Sequence, residues 1–330
     1  MKKWDFTLGV DVSKLTLDVH CTELNIHIRI ANGSDGFKLL QKWCSDNRID
    51  LGKSIVAMEY TGGYEYKLMQ FCETKKIQYS RIAGLAIKNS LGIVRGKNDK
   101  VDAKRIAQYA DEKHKSLVPA HPINPIILRL RQLLSFRKRL VRESAGYKAS
   151  LKERKEMYKV KSNDMLLRMM NKKIKGNDLL VKKLEAEMDA MIQTDQKILT
   201  NYKIITSIRG IGKVNALMTI AYTENFTSFR NARAYAVYVG VVPFDHSSGT
   251  SMHGKRKVSQ LANKELKQEL NQAARVAIEW NAELKAYAEK KRKEKPYKVV
   301  LNNVKFKLIM RMFSLVQRGE FYVDNYKKAA

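Results

Sequence analysis

Residues 5–32, DFTLGVDVSKLTLDVHCTELNIHIRIAN, decide how the first part of the chain folds. Apolar residues alternate and cluster in three short runs, FTLGVDV, LTLDVHCTE and IHIRIAN, with polar breaks between them. That is the pattern of consecutive β-strands. Beyond it, Ser34 stands where it would cap a helix running through Phe37, Leu40 and Trp43. SIVAMEY (54–60) reads as a buried strand ending at Glu59, and Gly62 and Gly63 turn the chain into a helix with Leu68 and Phe71. IQYSRIA (77–83) is a further strand, and Lys100 to His114 reads as a helix with Val101, Ile106 and Ala110 on its apolar side. Periodicity alone places this region in the α/β class.

Four carboxylates mark the same region: Asp11 in LGVDVSK, Glu59 in VAMEYTGGY, and Asp99 with Asp102 in GKNDKVDAKRIA. The first two sit at the polar ends of strand-like runs. The last two stand three apart at a helix start, so both face one way. Hard divalent cations are held by such groups, and Mg²⁺ takes a few carboxylates plus water and substrate phosphates. Taken singly, each acid has a plainer reading. Asp11 would be a turn residue, Glu59 a satisfied strand end, Asp99 a helix cap and Asp102 an exposed first-turn acid. Their company favours the metal site. Tyr60 and Tyr64 read as core residues, with base stacking as the alternative.

The chain has 330 residues and a formal net charge of +30, from 63 Lys plus Arg against 33 Asp plus Glu. That excess calls for a polyanionic partner, and nucleic acid comes first. No apolar run is long enough to span a bilayer, and no signal peptide is evident, so the expected compartment is the cytoplasm. Cys21, Cys44 and Cys72 are odd in number and widely spaced, which reads as ordinary core thiols in a reducing compartment. An acidic pocket in a basic protein points to metal-assisted chemistry on a phosphodiester.

Pro119, Pro122 and Pro125 punctuate a linker. After it, Leu130, Leu133, Leu140, Ser144, Tyr147 and Leu151 follow a helical spacing, and Val181, Leu184, Met188, Met191 and Ile198 repeat it. Gly176 and Asn177 are expected to interrupt between two long helices, which form a coiled-coil hairpin, an oligomer seam or plain packing within their own domain. The segment SIRGIGKVNALMTIAY (207–222) resembles a helix-hairpin-helix turn. There the amides of Gly210 and Gly212, with Lys213, would meet a phosphate. A plain helix–helix turn is the alternative.

In YVGVVPFDHSSGTSMHGKRKVS (238–259), a Gly-flanked serine pair precedes Lys255, Arg256 and Lys257. A serine there would attack a phosphodiester while the cations steady the charged transition state. On these residues alone, a flexible loop and a solvated basic face are the simpler reading. The run EKKRKEKPYK (289–298) is another candidate phosphate contact, with a solvated helix end as its alternative. The last helix, with Phe306, Ile309, Met310 and Phe313, reads as core.

Five ordered motifs together resemble the DEDD recombinases of bacterial insertion sequences, the IS110 class, which also includes the Piv-type DNA invertases. They are GVDVSKLTLDV, EYTGGYEYKL, KNDKVDAKRIA, SIRGIGKVNALMTIAY and AYAVYVGVVPFDHSSGTSMHGK. The resemblance implies an RNase H-like (RuvC-like) domain over 1–120, a helical coiled-coil linker over 121–204 and a mainly helical transposase domain over 205–330. It implies that Asp11, Glu59, Asp99 and Asp102 bind one or two Mg²⁺ ions, with Mn²⁺ as a substitute. It makes Ser248 the nucleophile of a covalent serine–DNA intermediate. It implies a bridge RNA pairing with donor and target DNA, and a homotetramer assembled from dimers. Asp245 and His246 would assist Ser248, though solvated loop residues are the simpler reading.

The chain departs from the family pattern in several places. Asn98 stands for the usual Thr, and Ala83 and Gly84 for Asn-Pro. Gln260, Ala262 and Lys267 replace residues of the downstream basic motif, and Lys lacks Arg's bidentate grip. Three rivals remain open at the level of sequence: a RuvC-like nuclease or junction resolvase without serine covalency, an actin-like sugar kinase, and a non-enzymatic RNA-binding protein.

Overall fold

The computed structural model describes residues 3–90, 98–158, 164–243, 247–248, 252–253, 258 and 262–324. The chain divides into two compact units, Met1–Pro122 and Ile123–Ala330.

In the first unit, β1 (Phe6–Val12), β2 (Thr16–Cys21) and β3 (Ile26–Ala31) form an antiparallel meander. Then come α1 (Ser34–Asp46), β4 (Ser54–Glu59), α2 (Tyr66–Thr74), β5 (Gln78–Ile82), α3 (Gly84–Ser90) and α4 (Asp99–Glu112). β4 and β5 join β1 in parallel, giving a five-stranded sheet in the order β3-β2-β1-β4-β5. The expected succession of strands and helices is therefore present, and the fold is mixed α/β. Gly33, not Ser34, is the N-cap of α1, with no side-chain cap.

Strand alternation sends Gly9, Asp11, Ala57 and Glu59 to one face of the sheet and Leu8, Val10, Val56 and Met58 to the other. α4 covers the first face. A Cβ on Gly9 would lie 2.2 Å from the Ala107 nitrogen and 2.4 Å from the Ala103 oxygen. Only a residue without a side chain lets the helix lie so close to β1. On the second face, the Tyr79 hydroxyl donates to Glu73 of α2 at 2.7 Å, and Phe37 of α1 stacks on Phe71 of α2 at 4.8 Å. Cys21, Cys44 and Cys72 are free and buried, and burial pushes the Cys44 and Cys72 thiols up to about 12.

Among its described residues, the second unit is helical apart from one short hairpin. α5 (Pro125–Glu156) begins with Pro125 at its first turn and Asn124 as cap. It lies antiparallel to α6 (Met165–Gln193), with Arg129–Glu187 and Arg137–Glu185 ion pairs at 2.8 and 2.7 Å and an apolar cluster of Leu151, Leu167 and Ile174. The expected break at Gly176 and Asn177 is corrected: α6 runs straight through both. A mid-helix glycine costs only about 1 kcal/mol, and the packing of Leu167 and Ile174 with Leu151 of the partner helix outweighs it. Within this unit, Arg131 Nε of α5 donates to the Ala221 carbonyl at 2.9 Å.

Next come α7 (Gln196–Thr206), α8 (Lys213–Thr223), α9 (Ala232–Val239), the hairpin of β6 (Ser247–Ser248) and β7 (Met252–His253), α10 (Lys264–Trp280), α11 (Ala282–Arg292) and α12 (Tyr297–Arg318). α12 packs against α7, α9, α10 and α11. Leu308, Ile309 and Met312 are buried, and Phe313 meets Phe226 edge-on at 4.9 Å, whereas Met310 is exposed. Among the described residues, no helix is long and apolar enough to cross a membrane.

Candidate acidic site and serine hairpin

The acidic site is built by two strands and a helix start. Asp11 is near the end of β1, Glu59 ends β4, and Asp99 and Asp102 occupy the first turn of α4. The register that pairs Val10 with Met58 sets Asp11 beside Glu59 on the face covered by α4. The Gly9 contact brings the helix down on that face. Asn98 is the cap of α4, its side chain accepting from the Lys100 amide at 3.1 Å. That corrects the reading of Asp99 as the cap, and leaves the Asp99 carboxylate for other work. Asn is as good a capping residue as Thr, so this departure keeps the helix start intact.

The four carboxylates act on one another. Burial, followed by the charges of Asp102, Asp99, Glu59 and Asp18, raises Asp11 to about 6. Repulsion among like charges has this sign, and so does desolvation. Gly84 belongs to the same site. A Cβ there would stand 2.0 Å from Glu59 Oε1, so the glycine leaves room for the Glu59 carboxyl.

Several residues that sequence reasoning missed complete the surroundings. Asp18, buried on β2, is paired in register with Asp11. It lies 2.8 Å from His27 Nε2 and 3.6 Å from Arg29 Nε. Arg29 Nη2 is 3.5 Å from Asp99 Oδ2, and Arg105 Nη1 donates to Asp102 Oδ1 at 2.8 Å. The signal was the antiparallel hairpin within GVDVSKLTLDV, whose register alone shows that its two aspartates are neighbours.

The turn after β4 is locked by Glu65, which is wholly buried. It accepts from the Gly63 amide at 2.8 Å, from Arg81 Nη2 at 3.2 Å and from the Thr61 hydroxyl. Burial pushes its carboxyl up, but these hydrogen bonds and the Arg81 charge hold it below its ordinary value. Gly62 and Gly63, at φ of 82° and 148°, supply backbone conformations that other residues rarely adopt. The core reading of Tyr60 and Tyr64 is corrected: both are about half exposed, at 50% and 52%.

Among the described residues, no three His, Cys, Asp or Glu side chains form a ready-made metal cage. The donor set nevertheless fits a hard cation: the four acids are all oxygen donors, and their mutual repulsion at Asp11 is what a cation relieves.

In the second unit, Ser248 lies on β6, opposite Met252 of β7 in a two-stranded antiparallel hairpin. Lys255, Arg256 and Lys257 lie outside the described residues, as do Asp245, His246 and Gln260. Gly240, at φ 73°, ends α9 before the serine segment, and a Cβ on it would lie 2.4 Å from that of Ala262. Asn263 caps α10, accepting from the amides of Glu265 and Leu266 at 3.2 and 3.1 Å. Lys267 is partly buried on α10, and burial pushes its ammonium down.

The turn between α7 and α8 joins two helices tightly. Gly210, at φ 95°, would place a Cβ 2.6 Å from the Ala273 carbonyl of α10. Lys213 is ion-paired with Asp189 and donates to the Glu185 carbonyl at 3.2 Å. Both residues thus have partners inside the protein. Gly212 is the N-cap of α8 and has no side chain with which to cap it.

Two family models match this chain. One for DEDD transposases of the IS110 type, described as a transposase, covers residues 8–154 and hence all four acids. The second, described as the transposase IS116/IS110/IS902 family, covers residues 202–289 and hence Ser248. Together they span well over half the chain. The chain is 26% identical over 272 residues to a pilin gene-inverting protein of Moraxella lacunata, covering 80% of each. It is 22% identical over 269 residues to a probable family 20 transposase of Pseudomonas aeruginosa, covering 73% of this chain and 75% of that one. It is also similar, at 26% over 140 residues, to an uncharacterized protein of insertion element IS110 in Streptomyces coelicolor, covering 42% of this chain and 33% of that protein.

Proposed function

Because the chain belongs to the IS110 transposase family, we propose that it cuts and rejoins DNA through a covalent link between Ser248 and a DNA phosphate. The Ser248 hydroxyl loses its proton and attacks phosphorus. The bond to one DNA oxygen breaks, and that oxygen leaves as a hydroxyl. A second DNA hydroxyl then attacks the phosphoserine, releases Ser248 and forms the new DNA junction. The serine ester conserves the energy of the broken phosphodiester, so no other energy source is needed.

Asp11, Glu59, Asp99 and Asp102 would hold Mg²⁺, or Mn²⁺ in its place, as one ion or two. When bound, such a cation positions a phosphate and stabilises developing charge. Asp11, raised to about 6, is the acid whose charge the cation settles. The first unit has the strand order of an RNase H-like domain, which supports the RuvC-like reading.

Donor and target DNA are the substrates, and a bridge RNA that pairs with both supplies sequence choice. The protein then needs mostly backbone contacts, in keeping with its +30 charge. Lys255, Arg256, Lys257 and the amide of Gly212 are the phosphate contacts we favour. Gly210 and Lys213 would join them only by giving up inner contacts. The active form is a tetramer assembled from dimers, working on nucleoid DNA in the bacterial cytoplasm.

One observation supports this reading above others: the carboxylates of three separated motifs gather where β1 and β4 end and α4 begins, and there burial, then their mutual charge, raises Asp11. The test is covalent trapping. The protein is expressed with its native flanking DNA, given donor and target plasmids with Mg²⁺, and denatured. A protein–DNA adduct at Ser248, lost in Ser248→Ala and in Asp11→Ala, is the expected result. Free cleaved DNA, unchanged in Ser248→Ala, would point instead to a RuvC-like nuclease.

A further inference from the structure

The turn after β4 presents an aromatic ring that the acidic site does not use. Tyr60 follows Glu59 in the chain and is 50% exposed. The Arg81 guanidinium lies against its ring, the central carbon 4.3 Å from the ring centroid. Arg81 itself is fixed, with its side chain only 11% exposed and its Nη2 3.2 Å from the buried Glu65 carboxylate. One face of the ring is thus filled by a planar cation whose charge is already matched. With that face covered, half of the residue still reaches solvent.

Packing does not account for this placement. Burial of a large aromatic side chain stabilises a fold, and Tyr60, half exposed, forgoes much of that. The turn that holds the ring is also over-determined, by Glu65 and by two glycines at positive φ. A ring held rigidly, backed on one side and open on the other, is a surface for stacking.

Its position says what stacks there. By strand alternation Tyr60 stands on the sheet face opposite Glu59, at the same carboxyl end of the sheet. Ligands of open α/β sheets bind across that end. A nucleic-acid strand passing the acids meets the tyrosine as well. We infer that Tyr60, backed by Arg81, is a stacking platform for an unpaired nucleobase of the strand that crosses the acidic site. The inference rests on the recombinase reading and adds a base contact to it. Stacking is indifferent to sequence because every base has a π-face, which suits a protein that leaves sequence choice to base pairing.

The test uses the full-length protein and a duplex oligodeoxynucleotide with a short single-stranded gap carrying a fluorescent adenine analogue. An intact duplex serves as control, and a matching gapped probe with RNA in the unpaired strand separates RNA from DNA as the source of the base. Wild type quenches the analogue on binding. Tyr60→Leu is expected to abolish the quench and weaken binding to the gapped probe roughly 5- to 150-fold, the equivalent of losing one stack. Tyr60→Phe keeps the ring and is expected to retain both. Binding to intact duplex and the melting temperature should be unchanged in both variants. Equal quenching and affinity in Tyr60→Leu overturn the platform and leave the recombinase reading standing. Equal losses on gapped and intact probes, with a lowered melting temperature, also overturn it by assigning Tyr60 to folding. No binding of any probe by wild type overturns both.

Discussion

Asp11 holds its proton to a higher pH than an ordinary aspartate, and the consequence is measurable without DNA. Its folded value, about 6, lies above the ordinary 3.8, chiefly through burial and then through its acidic neighbours. Between those values the folded chain holds a proton that the unfolded chain has released, so stability falls as pH rises from about 4 to about 6. Metal-free Asp11→Asn, with no charge to hold there, should therefore melt above wild type at pH 7, and the gap should close as pH falls towards 4. Thermal melts in chelator across that range check the sign. Added Mg²⁺ should raise the melting temperature of wild type, because it binds only the folded site, and should do so much less in Asp11→Asn. A neighbouring position tests geometry instead of charge. In Gly84→Ala the new methyl overlaps the Glu59 carboxyl, the mobile end of a side chain, which can swing aside. The melting temperature should barely move while DNA cleavage drops, by roughly 100-fold if Glu59 shifts by about 1 Å.

Elements bring these residues together, and the contacts that do so are of a different kind. Gly9 touches the backbone of α4 at Ala103 and Ala107, and backbone has nowhere to swing. Gly9→Ala should push α4 off β1 and cost about 1–3 kcal/mol, as overpacking does. It should also separate Asp99 and Asp102 from Asp11, so that the Mg²⁺-dependent rise in melting temperature disappears along with stability. A denaturant titration with and without Mg²⁺ measures both. What was legible in the sequence follows the same division. The strands of residues 5–32 and the apolar spacing of α4 are local patterns, and they were readable, although the cap of α4 is Asn98 and not Asp99. Asp11 and Glu59 stood out as polar ends of apolar runs, and Asp99 and Asp102 as acids three apart at a helix start. The closeness of Gly9 to α4, the register that pairs Asp18 with Asp11 and the exposure of Tyr60 all depend on residues distant in sequence. Gly176 misled because a single glycine weakens a helix by only about 1 kcal/mol, and the helix is held on either side of it by packing with α5, as at Leu167 and Ile174.

Across the molecule the dominant quantity is charge. Formal net charge +30 on 330 residues makes counterion release the main source of affinity for DNA or RNA. Such binding is independent of sequence and weakens steeply with salt, by roughly 10³- to 10⁵-fold between 50 and 200 mM when 6–10 phosphates are contacted. The exposed segment joining α11 to α12 allows that share to be apportioned. Lys290 in the last turn of α11, Lys293 just after it and Lys298 in the first turn of α12 lie on the surface around it, whereas Lys291 is occupied with Glu294 at 3.0 Å. If all three touch phosphates, replacing them together by Gln should reduce the slope of log K against log salt by about 3, one unit for each phosphate no longer neutralised. The melting temperature should hold, since exposed lysines away from partners contribute little to folding. Fluorescence anisotropy on one unrelated duplex at several salt concentrations gives the slope. An unchanged slope would make this segment a solvated helix junction. The phosphate contacts would then fall to the basic residues around Ser248, placing the charge where DNA is cut instead of where it is merely held.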